Sequence, residues 1–417
     1  MGRHYRYKKR NGWKITGIVV ASALVLAGIT GGGIYWNLNH RIQENAVDIG
    51  TPPPKPKKTV APKVIEETVT VDEFSGAFTV LLVGSDSDDG VREQSLNDVN
   101  IILHVSEDHS KARAISIPRD MLVTVPECTD PNTGQLNYPE SGVKINTALS
   151  TGGLKCVVDT VRDLTGATID YAAMIEFGGV VSLSNAVGGV PVCVSSDIND
   201  DYANLYLTAG EHSLSGEDAL AFLRTRHGVG DGSDLARISN QQVFLSSLMR
   251  TLKSSETLSD PKKVFGIANA VADNMTLSTS LASIPTLASL AYSLKDIPLE
   301  DITFMQYPTK YVQVGDSTAV VPDEAAAITM IEAAFSNQQI DLSGGTGPGS
   351  TGAVETHPQP DPLVNDGAEG TAPEPVAPSP EEEQLSVEEA PAPVVLPSEV
   401  TGMNASQNTC SRGFGEY

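Results

Sequence analysis

Between Ile15 and Leu38 the chain runs for twenty-four residues without a charged side chain, and six of the fourteen residues before it are lysine or arginine, with no acid among them. About 20 apolar residues suffice to cross a bilayer, and a basic flank holds its end of the helix in the cytoplasm. A basic cytoplasmic tail over residues 1–14 and a single transmembrane helix over residues 15–38 are therefore expected, with Tyr35 and Trp36 at the outer interface. The rival reading is a cleaved secretory signal. The run exceeds the roughly 7–15 apolar residues of such signals and lacks a clear A-x-A site.

That orientation places everything after Leu38 outside the cytoplasm, where cysteines can pair. Four are present, Cys128, Cys156, Cys193 and Cys410. Four cysteines allow three full pairings. Cys156 in a helical pattern and Cys193 in an apolar run are the first candidate pair, because both are expected to be buried. The absence of a C-x-x-C spacing and of a histidine cluster argues against zinc.

Composition divides the rest. Residues 39–73 contain TPPPKPKKTVAPK and read as a proline-stiffened stalk. Ser343 to Tyr417 holds eleven prolines and twelve acids against one arginine, so it is expected to be disordered. It carries much of the net charge of −24, which leaves the core, residues 74–342, less acidic than the total implies.

Inside the core, strand-like runs (FTVLLVG, DVNIILHV, ARAISIP, YAAMIEF, VPVCV, ITFMQYP) alternate with helical patterns. The latter cover residues 153–164, 179–187, 235–252 and 324–335, with Ser215 and Asp218 as a capping box for another helix. Interleaving of this kind predicts an α/β layered domain around a mostly buried sheet.

Three clusters at the ends of these elements share one chemistry. Asp86 follows the first strand and Asp98 precedes the next, and two carboxylates at one sheet edge could hold magnesium, which takes carboxylate, phosphate and water oxygens. Taken alone they are as well explained as turn aspartates. In SIPRD, the proline stops a strand and brings Arg119 out at its carboxyl end, where open α/β sheets bind ligands. In LAFLRTRHGVGDGSDLARISNQQ, arginines crowd into an acidic protein. Arg224 and Arg226 are two apart, about 200° on a helix, so both face one site only if the helix ends there. Gly228 and Gly230 are the expected ending. Arg237 and Gln241 follow on one helical face, and Lys144 stands before another helix. Grouped guanidinium groups, each a planar fork, predict a polyphosphate cradle. The bland readings are a surface ion pair for Arg119, a solvated lysine for Lys144 and an ordinary helix residue for Gln241.

No G-x-S-x-G, H-E-x-x-H or G-x-x-x-x-G-K-[ST] motif occurs, so acyl, zinc-peptidase and Walker-type nucleotide chemistry lack their supports. Nucleic acid is excluded as a partner, because the only strongly basic segment is the short tail.

LLVGSDS, LNDVNIILHV, ARAISIPRDMLVTVP, KINTA, IDYAAMIEFGGVVSLSNAVGGVPV and LSGEDALAFLRTRHG through DLARISNQQ, in this order, resemble the LytR-CpsA-Psr family of cell-wall glycopolymer ligases. The resemblance implies an α-β-α sandwich around a central mixed sheet, with an apolar lipid channel and a charged mouth. It implies an extracellular, membrane-anchored, magnesium-dependent phosphotransferase. Such an enzyme moves a glycan from a polyprenyl-pyrophosphate carrier to the 6-hydroxyl of N-acetylmuramic acid in peptidoglycan. Asp86 and Asp98 match positions that bind the metal or activate the acceptor. Arg119 matches a catalytic and pyrophosphate-binding arginine, and Lys144, Arg224, Arg226, Arg237 and Gln241 match head-group contacts. Two departures stand out: Asp88 replaces a common arginine, and Leu96-Asn97 replaces Arg-Ser before Asp98. A hydrolase acting on the same lipid, a non-catalytic lipid-binding scaffold, and glycan transfer to a surface protein are the alternatives.

Overall fold

The computed structural model describes residues 37–50, 74–86, 95–352 save positions 255, 256, 259, 272, 273 and 316, and 392–415. At its centre lies a seven-stranded mixed sheet. Its strands in chain order are β1 (Phe78–Ser85), β2 (Asn97–Val105), β3 (Ala112–Ile117), β4 (Tyr171–Ile175), β7 (Met275–Leu277), β8 (Ile302–Gln306) and β10 (Gly402–Asn404), arranged β7-β4-β1-β2-β3-β8-β10. The β1–β2 and β2–β3 pairs are antiparallel, whereas β1–β4 and β3–β8 are parallel. Alternation along β1 sends Leu81 and Val83 to one face and Phe78 and Val80 to the other, and each face has its own apolar core.

Helices cover both faces. On one side α1 (Ala148–Thr165) and α7 (Glu324–Phe335) supply Val157, Val161 and Met330. On the other, α4 (Asp234–Ser254) and α6 (Ile284–Ser293) supply Val243 and Leu290. The expected α/β class and layered sandwich are both present. A second sheet, β6-β5-β11-β9, joins β5 (Val190–Val194), β6 (Gly210–Leu214), β9 (Ser350–Gly352) and β11 (Thr409–Ser411), and packs through a third apolar cluster on α3 (Gly216–Arg224) and α4. Ser215 makes no side-chain cap to α3; the hydroxyl of Ser184, in α2 (Phe177–Ala186), accepts the Gly216 amide at 2.9 Å instead.

Three expectations need correction. The cysteines pair as Cys128–Cys156 and Cys193–Cys410, not Cys156 with Cys193. Gly152 lets Cys128 reach α1, since a Cβ there would stand 2.6 Å from Cys128 Cβ. Nor is the described part of the tail disordered. β10 caps the main sheet and β11 pairs with β5, carrying Met403 and Val400 into the cores, so the few apolar residues at 394–411 find partners that composition alone could not reveal. Residues 353–391 lie outside the described residues. The stalk, finally, begins later than 39. Residues 37–44 are helical, Leu38 and Ile42 are four apart on one buried face, and Val47 pairs with Ser278. The remainder of the stalk and nearly all of the expected transmembrane span fall outside the described residues, among which no helix is long and apolar enough to cross a membrane.

Candidate active site

The cleft opens where β1 ends and α3 stops. α3 ends at Arg224 because Thr225 leaves the helical region at φ −56° and ψ 134°. The expected glycine ending is thus replaced by a side-chain one. The buried Asp200 carboxylate accepts the Thr225 hydroxyl at 2.7 Å and the amides of Arg226, His227 and Gly228 at 3.1, 3.0 and 3.2 Å. Burial raises the Asp200 pKa, but the Thr225 hydroxyl and the amides outweigh it, and the carboxyl is held below its ordinary value. Gly228 contributes space, since a Cβ there would sit 3.0 Å from Asp200 Cβ. The extended Thr225 lets Arg224 and Arg226 face one cleft of about 300 Å³ together with Arg119, Arg237, Asp86 and Asp98.

Each cation has a distinct setting. Arg224 is exposed, with its guanidinium 4.4 Å from the centre of the Phe177 ring. Arg226 donates to the Gly232 carbonyl at 3.0 Å and pairs with Asp120 at 3.4 Å. Arg119 pairs with Asp98 at 2.7 Å and lies 3.7 Å from Asp234, whose other oxygen accepts the Arg119 amide at 3.0 Å. Burial pushes the Arg119 pKa down, but Asp98, Asp234 and Asp120 together raise it above its ordinary value. Arg237 is buried, bound to Asp234 at 2.5 Å and to the Asp98 carbonyl at 3.0 Å; its burial, and the nearby Arg119 charge, lower its pKa.

Two expected contacts lie elsewhere. Lys144 pairs with Asp120 at 2.6 Å and does not line the cleft, so it sets the charge on the carboxylate behind Arg226. Burial raises the Asp120 pKa, and Lys144, Arg119 and Arg226 more than reverse this. Gln241 is buried and donates to the Leu223 carbonyl at 2.9 Å, while Asn240 donates to the Phe222 carbonyl at 2.6 Å, so both fasten α4 to the end of α3. Asp200, Asp120 and Asp234 were missed as organisers of the site. Asp234 carries a local signal, three residues before Arg237 on one helical face; Asp200 carries none.

Asp86 accepts the Leu96 amide at 2.8 Å, closing the loop between β1 and β2. Asp98 Oδ1 is buried and has no hydrogen-bond partner among the described residues. Two cleft carboxylates, one with an orphaned oxygen, fit magnesium, which is usually bound by one or two carboxylates with phosphate and water completing its shell. No group of three metal-ligating side chains gathers among the described residues. Of the two departures, Leu96 lines the cleft and Asn97 is fully buried, donating to Asn100 at 2.8 Å and accepting the Leu149 amide at 3.0 Å. Asp88 lies outside the described residues. On the sheet below, Leu82 stays 37 % exposed although it sits in a central strand.

The model of the LytR_cpsA_psr family matches residues 39–335. The chain belongs to that family. Its LytR_cpsA_psr relatives include the cell wall biosynthesis protein LcpA of Corynebacterium glutamicum, 30 % identical over 58 % of this chain and 52 % of that protein. They also include the polyisoprenyl-teichoic acid–peptidoglycan teichoic acid transferase TagT of Bacillus subtilis, 28 % identical over 73 % of this chain and 89 % of that protein. The chain spans about half the length of the two corynebacterial proteins it matches, LcpA and LcpB. The solved structure of protein gbs0355 from Streptococcus agalactiae has the same fold, with a TM-score of 0.52 at 24 % identity, covering 62 % of this chain and 86 % of that one. The fold of a LytR_cpsA_psr domain is thus present, with its second sheet completed by residues 409–411.

Proposed function

We propose that this chain is a magnesium-dependent phosphotransferase that moves a glycopolymer from a polyprenyl-pyrophosphate carrier to a peptidoglycan hydroxyl, the 6-hydroxyl of N-acetylmuramic acid, at the outer face of the cytoplasmic membrane. One observation carries it: Arg119, Arg224, Arg226 and Arg237, from three separate segments, line a single cleft with Asp86 and Asp98. Asp98, Asp120 and Asp234 hold three of these guanidinium groups in place, and the planar forks they leave turned to one cleft suit a diphosphate. Similarity to TagT, named as a teichoic acid transferase acting on peptidoglycan, supports the donor and acceptor classes. The exposed Leu82 side chain in a central strand supports a lipid chain on the carrier.

Magnesium held by Asp86 and Asp98 would supply charge neutralisation at the phosphates. Arg224 and Arg226, the more exposed pair, bind and orient the diphosphate. Arg119 and Arg237, fixed from behind by Asp234, present charge whose position does not relax as the phosphoryl group transfers. The acceptor oxygen attacks the phosphorus bonded to the glycan, the bond to the bridging oxygen breaks, and polyprenyl phosphate leaves. One of the two carboxylates orients that hydroxyl and accepts its proton; Asp98, whose Oδ1 has no hydrogen-bond partner among the described residues, takes this part if Asp86 is the principal metal ligand. The test is transfer from a lipid-pyrophosphate oligosaccharide to peptidoglycan fragments by the wild type and by Arg224→Ala. A rate lowered about tenfold or more is expected. Equal rates refute the assignment, and release of free glycan phosphate with acceptor present would make the protein a hydrolase.

A further inference from the structure

Beside the arginines, the cleft has two aromatic rings that phosphate binding leaves unused. Tyr202 is 84 % exposed, and its ring lies 4.5 Å from that of His227, centre to centre, at an interplanar angle of 38°. Both rings line the same cleft as Arg224 and Arg226. The pair is built rather than incidental. Asp200, itself 2 % exposed, accepts the Tyr202 and Ala203 amides on one carboxylate oxygen at 3.0 and 3.2 Å and the Arg226 and His227 amides on the other. One buried carboxylate therefore fixes the backbone of both aromatic residues and of the arginine between them. Tyr206, on the same hairpin (Ile198–Asp200 and Leu205–Leu207), is 59 % exposed and anchors its phenol on Asp201 at 2.8 Å.

We infer that Tyr202 and His227 form a stacking subsite for the sugar ring joined directly to the pyrophosphate. This rests on the reading of the arginine cleft as a pyrophosphate site. A pyranose has an apolar C–H face and a rim of hydroxyls. It is matched by an aromatic face bordered by polar groups, here Arg224 and Arg226. An apolar protein partner would instead need a continuous uncharged patch. The sugar is the part of the carrier that must lie next to the phosphates, so the rings stand where the first pyranose falls once Arg224 and Arg226 hold the diphosphate. Because Asp200 holds the backbones of both residues in advance, only their side-chain rotamers remain to be ordered on binding.

Calorimetric titration of the full chain with two ligands tests this: a short prenyl pyrophosphate, and the same lipid pyrophosphate carrying one N-acetylglucosamine. Wild type is expected to bind the sugar-bearing ligand more tightly. Tyr202→Ala should lose about tenfold in affinity for it and less than twofold for the bare pyrophosphate, His227→Ala should show the same pattern more weakly, and Tyr202→Trp should retain wild-type preference. Thermal melts confirm that the variants fold. Equal losses for both ligands, or none, overturn the stacking subsite. Wild type that binds both ligands equally overturns it while leaving the arginine site intact. Wild type that binds neither overturns the pyrophosphate reading and the subsite with it.

Discussion

Arg119 reaches Asp98 across 2.7 Å, while the second Asp98 oxygen is buried with no hydrogen-bond partner among the described residues. The pair holds the carboxylate at a fixed angle to the cleft, and the second oxygen can accept a proton without breaking a contact to any described residue. Asp98→Asn keeps the shape and the hydrogen bond acceptor but loses the base and the ion pair. Transfer rate should fall by about 10²-fold or more, the usual loss for a general base. A progress-curve assay of product formation checks this, and a loss under threefold would remove Asp98 from the reacting centre.

His104 gives a pH prediction. It sits between Thr79, whose hydroxyl lies 3.1 Å from its Nδ1, and Phe335, whose ring stacks at 4.3 Å. Burial first, then the Arg113 charge, lowers its pKa from 6.5 to about 4. Asp170 and Glu332 line the same recess. The unfolded chain therefore takes up a proton between about pH 6.5 and 4 that the folded protein refuses. Stability from this group is complete above pH 6.5, is lost as pH falls through that window, and totals about 3 kcal/mol. Urea melts of wild type and His104→Leu across this range should show the gap between them shift in favour of the variant as pH drops. A gap independent of pH would mean that His104 titrates normally.

The two disulfides should differ in weight. Cys193–Cys410 closes a sequence separation of 217 residues and Cys128–Cys156 one of 28. Loop entropy grows with length, so Cys410→Ser should cost about 3–5 kcal/mol and Cys156→Ser about 1–2 kcal/mol less. The first change should also loosen the arginine loop, because Gly230 donates to the Arg412 carbonyl and Gly415 to that of Gly230. Urea midpoints at equal m-values give the comparison, and a larger loss from Cys156→Ser would contradict it.

Much of the fold was legible in local pattern. β1 to β4 and α7 fall where apolar periodicity puts them, since alternation and helical spacing are set by which neighbours can be buried together. The arginine cluster was legible for a similar reason: Arg224 and Arg226 signal an anion through their chemistry and their two-residue spacing. Gln241 misled because its helical face turns toward the Leu223 carbonyl, not the cleft, and no sequence pattern separates those two destinations.

The order of strands and helices and the identity of the cationic groups were thus properties of the sequence itself, because both depend on residues a few positions apart. Tertiary structure alone decided that Cys410 meets Cys193, that residues 402–411 complete two sheets, and that Asp200 gathers the amides on which the cleft is built. These depend on burial and on contacts between residues tens to hundreds of positions apart. A buried carboxylate is written in the sequence like any exposed one, and only the closed fold shows which amides it must satisfy.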